Sequence, residues 1–352
     1  MEGLAPVNLL VGKNNSGKSA VLEGIQLLAS GGDPAVLSDV AERRGEIIVA
    51  EAGSPYDATI DVAHFFCGHS ISPGSAFSIA GDGGESSVKV KVANGKRESR
   101  ARAERRRGAR DYHLEIESRS PERNEFRQFQ ISRDGVVDFD GLRGLRRSGF
   151  RRPPFAGPPL SSIPFMGPES LSAVDMAPLW NELILQGKEV DVLKAMQILE
   201  RDLTSIHFLT GVSKIGYIPA QVGIVVGIKG QTARLPLGSM GDGMRRIMAL
   251  ALALALAQDR ALLVDEIDTG LHCSVMPEMW KLVISEAQSS GIQVFATTHS
   301  WDCIEALGQV CEEDPAFARA VAVHKLDREI PHSITFTGES LVRMAKADID
   351  PR

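Results

Sequence analysis

Eight residues near the start of the chain, Gly12-Lys13-Asn14-Asn15-Ser16-Gly17-Lys18-Ser19, fit G-x-x-x-x-G-K-[ST], the spacing that wraps backbone N–H groups around a phosphate. Their flanks agree with that reading. Val7 to Val11 reads as a buried strand and Ala20 to Leu28 as an amphipathic helix, so loop amides and helix dipole aim at one point, where an anion of phosphate size belongs. The expected cradle is Gly12, Asn14, Asn15, Ser16, Gly17, Lys18, Ser19 and Ala20, with the Lys18 ammonium on the β- and γ-phosphates and the Ser19 hydroxyl on Mg²⁺. A chance Gly/Ser-rich turn is the alternative, and the matching strand and helix argue against it.

Three later segments carry groups that suit the same ligand. Ala261-Leu262-Leu263-Val264-Asp265-Glu266 is an apolar run closed by two acids, the form of a Walker B strand. Asp265 is placed to hold Mg²⁺ directly or through water, and Glu266 to polarise the water that attacks a γ-phosphate. Alone such a run is weak evidence; beside a Walker A loop it is specific. Ile292 to Ser300 reads as a buried strand ending in His299, which could reach a γ-phosphate, a purely structural histidine being the competing reading. Asp268, in Asp268-Thr269-Gly270-Leu271-His272, falls where a dimer-contacting loop would follow the Walker B strand. Leu237 to Arg246, with Ser239 and Gly241, is a Ser/Gly turn opening a helix: either a second anion site or a capped core helix with Asp242 near its start.

The elements that must position these groups alternate along the chain. Glu46 to Ala50, Thr59 to Phe66 and Phe77 to Ala80 read as strands, and Val88, Val90 and Val92 alternate with lysines as on a half-exposed strand. Leu114, Ile116 and Phe126 to Ile131 continue an antiparallel sheet. Met176 to Leu185 and Val190 to Leu203 have helical spacing, with Leu193, Met196, Leu199 and Leu203 on one face. Ile215 to Ile218 and Val222 to Ile228 are β-rich, Ile247 to Ala257 reads as a buried helix, and Trp301 to Leu307 as a helix. Four regions result: 1–93, the first part of an ATPase head; 94–160, a basic β/loop insertion with an exposed Arg-, Gly- and Pro-rich stretch at 143–159; 161–235, a helical and β lobe; and 236–352, the rest of the head.

Composition narrows the class. At 352 residues the chain buries its own core, and its longest apolar stretch is far short of the roughly 20 residues a membrane helix needs. Met1 to Leu10 lacks the basic start of a signal peptide, so a cytoplasmic protein without membrane contact is expected. Cys67, Cys273, Cys303 and Cys311 form no C-x-x-C pair, so neither a zinc site nor a disulfide framework is indicated. Net charge is −6, yet residues 96–152 hold 17 Lys and Arg against 10 Asp and Glu. That island suits an acidic partner, DNA or RNA first, through Arg100 to Arg152; a solvated insertion with no ligand is the alternative.

The order Walker A, insertion, Ser-Met-Gly-Asp-Gly turn, Asp-Glu, then Thr-Thr-His-Ser resembles the ABC-type ATPase heads of the SMC, RecF and OLD group. Pro6 to Ser19, Pro236 to Gly243, Asp265 to His272 and Phe295 to Ser300 look most like the bacterial OLD-like AAA ATPases, some of which act in anti-phage defence. The resemblance implies an α/β P-loop head with mixed parallel and antiparallel sheets that binds ATP and Mg²⁺ and pairs as an ATP sandwich. Ser239 and Gly241 would act in trans on nucleotide held by the partner subunit's Lys18, and His299 would be the switch histidine. Three departures stand out. Met1 begins almost too late for the strand that usually brings an adenine contact, so base preference is assumed. The coupling glutamine has no clear counterpart, with His64 and His69 nearby. Only 53 residues follow His299, too few for a TOPRIM domain, so any nuclease is expected on a separate effector protein.

The leading expectation is thus a Mg²⁺-dependent ATPase that dimerises on ATP and controls a nucleic acid or effector. A non-turnover ATP-binding scaffold for a toxin-like effector is one alternative. A DNA repair or SMC-like ATPase is another, and the absence of sustained heptads lowers it.

Overall fold

The computed structural model describes residues 1–49, 58–95, 112–138, 164–210, 222–257, 260–347 and 349–352. The chain divides into two units, Met1–Leu22 with Ile163–Arg352, and Glu23–Ser162. The first opens with β1 (Val7–Val11), all five residues buried, followed by the phosphate loop and α1 (Lys18–Ala29), within which the boundary between units falls.

The second unit is antiparallel. After α2 (Ala35–Arg44), β2 (Ile47–Val49) pairs with β3 (Ala58–Asp61), and β3 with β8 (Val136–Asp138). A four-stranded sheet joins β4 (Ala76–Ala80), β5 (Ser87–Asn94), β6 (Tyr112–Arg119) and β7 (Asn124–Ile131) in that order. Val88, Val90 and Val92 point into the core beside Leu114 and Ile116, while Lys89 and Lys91 face out opposite Glu117 and Glu115. Val36, Leu37, Val40 and Ala41 of α2 close the same core. The run Thr59 to Phe66 is a strand only to Asp61. There the Asp61 carboxylate accepts from the Ala63 amide at 2.8 Å and turns the chain into a 3₁₀ helix over Val62–Phe65.

The first unit resumes with β9 (Phe165–Met166), α3 (Ala173–Gln186) and α4 (Glu189–Met196). The helical reading of Val190 to Leu203 holds only to Met196; Leu203 instead begins β10 (Leu203–Thr210), and Gln197 Nε2 donates to the Leu203 carbonyl at 2.8 Å across the turn. β10 pairs with β11 (Val222–Ile228), and β11 with β12 (Leu235–Pro236). The expected strand at Ile215 to Ile218 lies outside the described residues, as do the Arg- and Pro-rich 143–159 stretch and residues 96–111. Between Tyr112 and Asp138 there are four arginines against six carboxylates, so the positive excess of the island belongs to 96–111 and 139–152.

Then come α5 (Asp242–Leu256), β13 (Ala261–Val264), α6 (Met276–Ser289), β14 (Gln293–Thr297), α7 (Trp301–Glu313), α8 (Pro315–Arg319), β15 (Val321–Lys325), β16 (Ile334–Thr337) and α9 (Gly338–Lys346). The main sheet runs β16-β15-β1-β14-β13-β9, parallel except for β16. Its inner strands are nearly all buried, which is why they read as unbroken apolar runs rather than alternating ones. Helix α5 is buried from Ile247 to Leu254, as a core helix should be. Among the described residues no helix is long and apolar enough to cross a membrane.

One polar network crosses this sheet. Asn8, fully buried in β1, donates to the Ala5 and Val294 carbonyls at 2.6 and 3.3 Å, and its Oδ1 meets His324 Nε2 at 3.2 Å. His324 Nδ1 lies 3.1 Å from Thr335 Oγ1, so the four strands β14, β1, β15 and β16 share one line of bonds. Burial pushes His324 down to about 4. The unfolded chain therefore takes up a proton that the folded one refuses, and stability present above about pH 6.5 is lost as pH falls toward 4, by up to about 3 kcal/mol. His324→Gln is expected to flatten that part of the urea-stability profile between pH 6.5 and 4.

Candidate functional site

The phosphate loop leaves β1 at its carboxyl end, the side where parallel α/β sheets collect ligands. Gly12 has φ +145, and a Cβ there would sit 2.3 Å from the Leu326 carbonyl oxygen, so the tight exit from β1 tolerates only glycine. Gly17 and Asn15 also take positive φ, and Asn14, Asn15 and Ala20 are exposed at the rim. Lys18 is buried, with its ammonium on the loop's own Gly12 and Lys13 carbonyls at 2.8 and 2.9 Å. Burial lowers its pKa, opposed by the charges of Asp265 and Glu266. The Ser16 hydroxyl is buried in the loop and has no hydrogen-bond partner among the described residues, so a phosphate oxygen could accept its hydrogen bond.

The acids of the Walker B run meet this loop. Ser19 Oγ donates to Asp265 Oδ2 at 2.9 Å, and Thr297 Oγ1 donates to Asp265 Oδ1 at 2.5 Å. Two hard oxygens, a hydroxyl and a carboxylate, thus stand together where Mg²⁺ would take its few protein ligands and draw the rest from phosphate and water. Among the described residues no cluster of three or more His, Cys, Asp or Glu offers an all-protein cage.

Glu266 sits at φ +49, a left-handed conformation that glutamate rarely adopts and that costs of order 1 kcal/mol or more. Its amide donates to Thr297 Oγ1 at 2.8 Å, and its carboxylate accepts from His299 Nε2 at 2.9 Å and Thr269 Oγ1 at 3.2 Å. His299 Nδ1 is buried and has no partner among the described residues. Asp268 is half-buried, and its Oδ1 accepts from Thr298 Oγ1 at 2.6 Å, tying the loop after β13 to the end of β14. Lys18, Ser19, Asp265, Glu266 and His299 are therefore brought together at the ends of β1, β13 and β14. Ser239 and Gly241 are not bonded to this group. They lie exposed at the start of α5, where Ser239 Oγ donates to the Pro236 carbonyl at 2.7 Å and Gly241 is an N-cap with no side-chain acceptor.

Arg246 received no role from the sequence. It is only 2 % exposed, and its guanidinium donates to the carbonyls of Gly167 (2.6 Å), Pro168 (3.4 Å), Asp265 (3.0 Å) and Glu266 (2.6 Å). Burial pulls its pKa down to about 10 against the charges of Asp268, Glu266 and Asp265. The available signal was the Arg245-Arg246 pair at the head of an otherwise wholly apolar run to Leu256, where at least one of the two must enter a buried helix.

The family model described as "AAA domain, putative AbiEii toxin, Type IV TA system" matches residues 91–302, which include Ser239, Asp265, Glu266 and His299. A curated "ATP/GTP phosphatase" of Helicobacter pylori (strain ATCC 700392 / 26695) is 31 % identical over 118 residues, 32 % of either chain, so this chain spans about a third of that relative. Among solved structures, an SmcHead bound to the C-winged helix domain of ScpA is 12 % identical with a TM-score of 0.43, covering 96 % of this chain and 91 % of that one. An SMC head domain from Thermotoga maritima is 13 % identical with a TM-score of 0.37, covering 95 % and 91 %.

Replacing Arg246 by Met leaves up to four carbonyls without their donor. The expected cost is about 2–4 kcal/mol of unfolding free energy, read from the urea midpoint.

Proposed function

This chain belongs to the AAA-domain family, and we propose that it binds ATP at the phosphate loop and hydrolyses it. The observation that carries the reading is the single hydrogen-bonded group of Ser19, Asp265, Thr297, Glu266 and His299 beside Lys18, with Glu266 held in a strained backbone conformation. Residues 12–20 would cradle the phosphates, with Lys18 turning from its loop carbonyls to the β- and γ-oxygens. Ser19 and Asp265 would hold Mg²⁺, which when bound supplies charge neutralisation across the β- and γ-phosphates. Glu266 would accept the proton of the attacking water, and His299 would leave the Glu266 carboxylate to sense the γ-phosphate. Strain at Glu266 supports this assignment, because a purely structural position would select glycine or asparagine.

The exposed, uncapped start of α5 supports a second phosphate-contacting end, used in trans through Ser239 and Gly241 when two copies pair, with Asp268 holding the loop beside it. The resemblance to OLD-like ATPases extends the reading to control of a separate effector, such as a TOPRIM-like nuclease, in anti-phage defence. The charge of 96–111 and 139–152 supports a DNA or RNA partner for that insertion. One observation favours a second reading, an ATP-holding scaffold with negligible turnover: the Glu266 carboxylate is already bonded to both His299 and Thr269.

Glu266→Gln is expected to slow Mg-ATP turnover by about 10²–10³-fold while ATP affinity changes less than about threefold. Turnover at wild-type rate in that variant would remove Glu266 from the reaction, and background turnover in wild type with tight ATP binding would select the scaffold. The same variant is expected to double its solution mass on adding Mg-ATP, and Ser239→Arg to prevent the doubling. A constant mass would overturn the paired arrangement. Deleting residues 102–110 is expected to weaken nucleic-acid binding and to flatten its dependence on salt.

A further inference from the structure

Three parallel strands end side by side at the phosphate loop: β14 runs into His299, β1 into Gly12 and β15 into Lys325, with β1 in the middle. Residues 349–352 span this edge. The Arg352 guanidinium donates through Nη1 to the His299 carbonyl, and the Arg352 carbonyl accepts from Lys325 Nζ at 3.0 Å. One residue thus bonds the loop after β14 and the last residue of β15, on the two sides of the phosphate-loop strand.

Arg352 is itself held. Asp350 accepts from Arg352 Nε at 2.8 and 3.0 Å, from Nη2 at 2.5 Å and from the Arg352 amide at 2.9 Å. That fork, chiefly through the side-chain hydrogen bonds of Arg352, keeps the Asp350 carboxyl below its ordinary range. Pro351 between them is buried, and its ring fixes φ, so the two ends of the clamp keep their spacing.

The His299 carbonyl matters because residues 298–300 are a non-repetitive link between β14 and α7. Thr298 is fixed through its hydroxyl on Asp268 and Ser300 through its cap on the Cys303 amide at 3.2 Å. Between them, the tilt of the His299 peptide decides where the imidazole points, and Arg352 is the side chain that holds that peptide by its oxygen. We propose that Arg352, clamped by Asp350, is a positioning residue for His299. The proposal rests on the reading of Glu266 and His299 as the hydrolytic pair.

In the full-length protein, Arg352→Ala and Asp350→Ala are expected to lower kcat about tenfold or more, because small misplacements of a reacting group are costly, with affinity for a fluorescent ATP analogue within about twofold of wild type. Arg352→Lys keeps the charge and loses the fork, so it should recover only part of the rate; full recovery would mean charge, not orientation, and would overturn the proposal. An equal loss of nucleotide affinity and kcat would overturn it as well. A second readout is independent of turnover: the imidazole NMR signals of His299 should move in Arg352→Ala while those of buried His324 stay in place. Unmoved His299 signals would overturn the proposal. If wild type proves not to turn over at all, the hydrolytic reading fails and the His299 signals alone decide the positioning role.

Discussion

A guanidinium enclosed by four carbonyl oxygens is the constraint on which the site depends. Arg246 stands on α5, yet it bonds the turn after β9 and the two residues that close β13, so three segments distant in sequence are fixed by one side chain. A neutral side chain could not satisfy so many acceptors from one point, and a lysine lacks the planar fork. The cost of burying this charge is met by the carbonyls and by Asp265, Glu266 and Asp268 nearby. The helix that begins at Asp242, just after Ser239 and Gly241, is therefore tied to the backbone of Glu266 through one side chain.

The parallel sheet supplies the complementary constraint. β1 is buried on both faces, so its polar Asn8 must find partners inside, and it finds them in Val294 and His324 on the two neighbouring strands. That network sets the relative register of the strands that deliver Gly12, His299 and Lys325 to one edge. Side chains at that edge can then be placed by short loops. Thr297 shows the economy of the arrangement, since its single hydroxyl donates to Asp265 and accepts from the Glu266 amide.

What could be read in the sequence follows from how local each cause is. The phosphate loop was legible because glycine and lysine spacing is imposed by chemistry within eight residues, and Asp265-Glu266 because a buried strand ends abruptly in charge. Arg246 stayed hidden because its partners are contributed by Gly167, Pro168, Asp265 and Glu266, none of them near it in the chain. The apolar spacing from Val190 to Leu203 suited a helix throughout, yet Leu203 pairs with Ile228 in a strand, a tertiary preference that periodicity does not report. Likewise Thr59 to Phe66 looks like one strand until the Asp61 side chain captures an amide two residues on. The grip of Arg352 on His299 joins residues that no sequence pattern connects.

The left-handed backbone at Glu266 also bears on how this protein can be engineered. Procedures that raise thermal stability by matching each residue to its local backbone would rank glycine or asparagine above glutamate at position 266, since either accepts φ +49 with less strain. Such a redesign would relax the backbone there while discarding the carboxylate. Position 266 is thus one that a stability-guided library should hold fixed, because there the backbone's preference and the role proposed for the carboxylate point to different amino acids.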